Sequence, residues 1–210
     1  MLSLIPLLYN RKSLTSEEDM IFKRIIELVK ADNTLGKIFD SYEMKSPIRL
    51  PPLSELGRIE TKSTLFQGIL NFLSVILLQQ TPYGDYISNT YTTRFMKELA
   101  ERLRWNELDG RVLVLTDASL TSYRYFSGFQ VFERIRGKWF APNSVVVSIT
   151  ALNFNPLNIY KMSKHELGHS FELYNCNEEC IMNHSLDLTH RPINYCRSCK
   201  KMIFENLGLT

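Results

Sequence analysis

All four histidines (165, 169, 184, 190) and all four cysteines (176, 180, 196, 199) of this 210-residue chain fall between His165 and Cys199. Core histidines and buried thiols would be spread over every element, so the clustering points to metal chemistry. The cysteines form two knuckles, with three residues between Cys176 and Cys180 and two between Cys196 and Cys199. That spacing fits one tetrahedral Cys₄ zinc site. Its formal charge of about −2 could be partly offset by Arg197, Lys200 and Lys201. A pair of disulfides is the plainer alternative, and a reducing compartment disfavours it. A nucleic-acid-reading zinc ribbon is weaker still, because few aromatics interleave the basic residues.

The second constellation is His165-Glu166-Leu167-Gly168-His169. Asn155-Pro156 offers a helix start, and a single helix is predicted from Leu157 to about Leu173. On it His165 and His169 project from one face, one turn apart, as two zinc ligands would. Glu166 lies about 100° around the helix, placed to move a proton without ligating. Isolated matches to this motif often turn out to be solvated helices with incidental histidines. Here the β-rich segment before it and the cysteines after it favour metal.

The remaining chain reads as an ordinary folded protein, 44% hydrophobic and 22% charged. A net charge of +3 is too small to imply a nucleic-acid or anionic-membrane partner. Met1 to Asn10 lacks a basic lead and a cleavage site, so it predicts a buried first strand and a cytoplasmic chain. Thr15 and Glu18 form a capping-box pair for a helix over 17–31, with Gly36 beyond its end. Three prolines within 46–52 predict a loop or extended crossing. Helices are predicted over 64–80 and 89–103, with a turn at 81–85 between them. Strands are predicted over 112–116, 129–135 and 144–149, with a turn at Arg136-Gly137-Lys138. Helices and strands mixed along one chain predict an α/β (α+β) fold, a twisted sheet backed by helices.

Taken together, His165-Glu-x-x-His169, Cys176, Cys180-Ile181-Met182 and Cys196-x-x-Cys199 resemble the archaemetzincins. That family's motif is HExxHxxGxxHC, then a second Cys followed by x-Met, then CxxC. Arg111 to Asp117, Phe129 to Phe132 and Ser144 to Ser148 are similar to its strands. The resemblance implies one zincin-like domain over 1–210. Residues 1–175 would be the sheet-and-helix part ending in the active-site helix, and 176–210 a zinc-held subdomain. It implies Glu166 as general base and acid, Met182 as the Met-turn residue, and four cysteines on a second zinc. It also implies an aminopeptidase-like activity, with peptides or unfolded segments as the expected substrate. The small net charge and the shortness of the apolar run at Leu65 to Leu78 predict no nucleic-acid or membrane partner, and a monomer is the expected state.

Three departures stand out. The family's glycine is Glu172 and its third histidine is Asn175. The first cysteine knuckle is also one residue shorter. A glycine there would leave the helix with positive φ, which Glu adopts poorly, so Glu172 predicts another helical turn and a place on the ligand face. Asn175, Glu172, His184 or water alone stay open as the third ligand. Two functions follow: a zinc peptidase using Glu166, or an inactive peptide-binding scaffold that keeps only the Cys₄ zinc.

Overall fold

The apolar run of the N-terminus becomes the first strand, β1 (Leu2–Asn10), in a computed structural model describing residues 2–10, 15–45, 48–49, 90–92, 110–117, 119–121, 130–131, 143–149, 152–183 and 185–209. Leu4, Ile5, Leu7 and Leu8 are all buried, as expected for a parallel strand covered on both faces. β1 pairs in parallel with β5 (Arg111–Thr116) from Leu4 to Tyr9, and β5 pairs in parallel with β8 (Ser144–Ser148). Val112 to Leu115 and Val145 to Val147 are buried without exception. β-branched and leucine side chains suit these two-sided positions.

The other edge of β1 carries β2 (Phe39–Tyr42) at one end and β3 (Ile48–Arg49) at the other, both parallel. Pro6 lies between them. Its carbonyl accepts from the Lys45 N–H at 3.4 Å, so the side on which proline lacks a donor faces the stretch between β2 and β3, where no ladder pair falls among the described residues. β7 (Gln130–Val131) runs antiparallel to β8 and ends the order β2-β1-β5-β8-β7. The sheet is therefore mixed, and β7, within the strand predicted over 129–135, lies at its rim among the described residues. β4 (Thr90–Thr92) and β6 (Ser119–Thr121) form a separate parallel pair. This corrects the helix predicted to begin at 89: Thr-Tyr-Thr is β-branched and aromatic, and pairing overrides the helical spacing that follows. The helix over 64–80, the turns at 81–85 and 136–138, and residues 93–103 lie outside the described residues.

α1 (Ser16–Ala31) has the predicted capping box: Glu18 N–H donates to Thr15 Oγ1 at 3.2 Å, and Thr15 N–H to Glu18 Oε2 at 2.9 Å. Gly36 lies beyond its end, as the sequence predicts. Asp32 is the C-cap, and Gly36 falls inside the short helix α2 (Leu35–Ile38). Ile21, Phe22, Ile25, Ile26 and Val29 of α1 bury one face. α3 (Pro156–Ser170) lies against β8 and β5 and also packs on α1. α4 (Arg197–Asn206) closes the described chain. Among the described residues no helix is long and apolar enough to cross a membrane.

A buried ion pair fixes α3 to the α1–α2 corner. Lys164 Nζ donates to Asp32 Oδ2, and the Tyr160 hydroxyl donates to the same oxygen at 2.6 Å. Asp32 Oδ1 accepts the N–H groups of Thr34 and Leu35, each at 2.8 Å. Burial pushes Asp32 up, but these donors outweigh it and hold the carboxyl below its ordinary value. Lys164 is also pushed down, since its burial outweighs its partner. Asp32→Ala should cost about 3–5 kcal/mol, because it leaves Lys164 buried and uncompensated. Asp32's folded pKa lies below its unfolded value of 3.8. Its contribution is thus complete above that pH and is lost as pH falls through the folded value. Urea unfolding across the acid range should show a shallower decline for Asp32→Ala than for the natural chain.

Candidate metal centres

Asn155 caps α3, its side chain accepting from the N–H groups of Leu157 (3.0 Å) and Asn158 (3.1 Å), with Pro156 in the first turn. The helix is buried along most of its length, including Lys161, Lys164, His165 and Glu166. Lys161 Nζ donates to the carbonyls of Leu188 (3.1 Å) and Thr189 (2.9 Å), drawing the segment after the cysteine knuckle onto α3.

The helix ends earlier than predicted, at Ser170, and Glu172 does not extend it. Glu172 has φ +67°, in the left-handed region that favours glycine. Its N–H donates to the His169 carbonyl at 2.9 Å and the Leu173 N–H to the Gly168 carbonyl at 3.1 Å. Those two bonds make a Schellman turn with Glu at C′. Arg111 supports it, with Nε donating to the Ser170 carbonyl at 3.2 Å. The hydrogen bonds of the turn prevail over the side-chain preference, at a cost of about 1–2 kcal/mol. Glu172→Gly should accordingly raise the unfolding free energy by about 1 kcal/mol, read from urea midpoints at constant slope.

The turn also sets one imidazole. His169 Nδ1 lies 2.8 Å from the Leu173 carbonyl, and His165 Nδ1 lies 2.8 Å from the Ile181 carbonyl. A carbonyl can only accept, so both Nδ1 atoms carry hydrogen, and in the neutral imidazoles both Nε2 atoms present lone pairs. The two Nε2 atoms are 3.2 Å apart. Two nitrogens on a tetrahedral zinc, with bonds of about 2.0–2.1 Å, would sit roughly 3.4 Å apart, so the pair fits. Arg191 Nη1 approaches His165 Nδ1 at 3.3 Å. Both are donors, so the hydrogen bond belongs to the carbonyl, and Arg191 instead donates Nη2 to the Leu186 carbonyl at 3.0 Å.

Ligand-capable atoms of His165, Glu166 and His169 lie within 4.8 Å of one another. Glu172 is exposed and belongs to neither metal-capable cluster found among the described residues. Asn175 is exposed, two residues after the Leu173 carbonyl that orients His169. His184 lies outside the described residues. Met182 is fully buried, and a Cβ at Gly168 would come 2.5 Å from its sulfur. Only a glycine between the two histidines lets the methionine approach this closely.

The four thiols form the second cluster, also within 4.8 Å. Cys176 Sγ is 3.9 Å from Cys196 Sγ, and Cys180 Sγ is 3.9 Å from Cys199 Sγ. Disulfide sulfurs sit at about 2.05 Å, whereas edges of a Zn(Cys)₄ tetrahedron with bonds of about 2.3 Å are near 3.8 Å. Backbone N–H groups of Glu178, Met182 and Cys199 donate to Cys176, Cys180 and Cys196 at 3.3, 3.3 and 3.4 Å. Burial, then the hydrogen bond with Cys196 and the charges of the other thiols, push the Cys199 thiol well above its ordinary range. Ionised sulfurs this close together require a cation. Burial lowers Arg191 below the ordinary guanidinium range, and Glu166, Asp187 and Cys180 offset part of that.

Sequence reasoning missed Arg191 and the carbonyls of Ile181 and Leu173. Backbone acceptors carry no residue signal, and Arg191 looks like any surface basic residue until its burial is known.

An archaemetzincin from Nanoarchaeum equitans (strain Kin4-M) is 30% identical over 101 residues, 47% of this chain. That match spans 55% of the relative's own length, about half of it. The crystal structure of an archaemetzincin from Methanopyrus kandleri superposes with a TM-score of 0.58 at 23% identity, covering 98% of this chain and 96% of that one. At that identity the likeness establishes the fold. The sequence profile of peptidase family M54 matches residues 95–205, more than half of the chain and inclusive of both metal-capable clusters, and the chain belongs to that family.

Proposed function

We propose that the chain is a zinc-dependent peptidase in which His165 and His169 hold the catalytic metal and Glu166 is the general base and acid. The observation that carries this reading is the pair of Nε2 atoms 3.2 Å apart, each fixed as a lone-pair donor by a carbonyl on its Nδ1. A zinc bound there would supply Lewis acidity toward a scissile carbonyl and a water. Glu166 takes the water's proton on its carboxylate and delivers it to the leaving amine. Cys176, Cys180, Cys196 and Cys199 hold a second, structural zinc. Asn175 or His184 completes the catalytic set in place of the family's third histidine, or water does.

The substrate is a peptide or unfolded segment, added as a strand beside β7 at the rim of the sheet. The chain folds as one domain over 1–210, with 176–210 as its zinc-held part, and a reducing, cytoplasmic setting suits its four thiols. One feature favours the scaffold reading instead: Asn175 stands where the third histidine would be, and a neutral amide oxygen is a weak zinc ligand. Elemental analysis separates the two. Two zinc ions per chain support the peptidase, and one per chain, with the four-cysteine site filled, supports the scaffold.

A further inference from the structure

One peptide group touches both metal-capable clusters. The carbonyl of Ile181 accepts from His165 Nδ1 at 2.8 Å, and the N–H on the other side of that same peptide bond, from Met182, donates to Cys180 Sγ at 3.3 Å. We propose that the Ile181–Met182 peptide is a hydrogen-bonded relay coupling the two metal centres, so that filling either one tightens metal binding at the other. This rests on the two-zinc reading above.

Three features make the relay effective. Cys180, Ile181 and Met182 are fully buried and His165 is nearly so, and in such a medium hydrogen bonds in series polarise one another. The amide is conjugated, so density drawn toward its oxygen strengthens its N–H as a donor. A cation on His165 Nε2 strengthens the Nδ1–H donor, and a cation-bound thiolate at Cys180 is the stronger acceptor at the other end. The segment is also held in place. The Ile181 N–H donates to the Asn194 carbonyl at 2.9 Å, the Cys176 N–H donates to the Met182 carbonyl at 3.0 Å, and the Met182 side chain fills the space left by Gly168. His169 is oriented by Leu173 instead, so the coupling runs through His165. By linkage the effect is equal in both directions.

The test replaces the Met182 amide nitrogen with the ester oxygen of its α-hydroxy acid. This removes the donor to Cys180 and weakens the Ile181 acceptor while keeping every side chain. Cadmium, which selects thiolates, occupies the four-cysteine site, and zinc is titrated into the histidine site. In the natural chain the cadmium NMR resonance should move as zinc binds. In the ester protein that movement should vanish, and zinc affinity at the histidine site should fall about tenfold or more, within the range typical of outer-shell partners. An unmoved resonance in the natural chain, or unchanged zinc affinity in the ester protein, overturns the relay. Should the ester protein fail to fold, the resonance of the natural chain decides alone. Binding of only the thiolate metal overturns both this and the peptidase reading, whereas two bound metals with an unmoved resonance overturn only the relay.

Discussion

Cys199→Ser is expected to release one zinc per chain and to unfold at least the segment from Cys176 onward. Structural zinc sites contribute an apparent 10–16 kcal/mol or so, as much as the whole stability of a typical domain, about 5–15 kcal/mol. Cys199 is buried at the start of α4, and its neighbour Cys196 caps that helix through its sulfur. A serine hydroxyl there has neither the charge nor the reach to replace a thiolate, and the position is buried. Cys176→Ser should be milder, since that sulfur is half-buried and water can complete the tetrahedron. Thermal melts with elemental analysis check both. A Cys199→Ser protein that keeps its melting temperature and its metal content would sink the assignment of a structural zinc.

The second large effect concerns the proposed third ligand. Asn175→His should raise zinc affinity at the histidine site at least tenfold, about 1.4 kcal/mol, and raise peptidase turnover with it. Adding Glu166→Ala to that variant should lower turnover by about 10²–10⁴ while zinc stays bound, because the proton acceptor is lost and the ligands are not. Glu172→Ala should leave metal content unchanged, given that Glu172 occupies the left-handed turn and neither cluster. His184→Ala then tests the remaining side-chain candidate. If Asn175→His changes neither zinc affinity nor turnover, residue 175 is not aimed at the metal.

Much of the site was legible because its chemistry depends on residue identity and short spacing. The i,i+4 histidines, the two cysteine knuckles and the Asn155-Pro156 helix start are local, and local rules hold whatever surrounds them. The apolar strands β1, β5 and β8 were legible for a related reason. A strand buried on both faces is a continuous run of Val, Ile and Leu. β2, with Phe-Asp-Ser-Tyr, carries no such run, and only its place beside β1 makes it a strand. The segment of β4 predicts helix from its local spacing, whereas its pairing with β6 is not local.

The conformation of Glu172 shows where sequence reasoning stops. Propensity alone places a glutamate in the helix and predicts another turn. The structure instead spends about 1–2 kcal/mol of backbone strain to bring the Leu173 carbonyl onto His169. That choice is made by the packing of Phe171 and Leu173 into the core and by Arg111 on the Ser170 carbonyl, none of which is local. The sequence by itself determined which atoms could bind metal and the spacing that groups them. The tertiary structure decided how those atoms are aimed, because the carbonyls of Leu173 and Ile181 and the buried charge of Arg191 act only once distant segments are packed together.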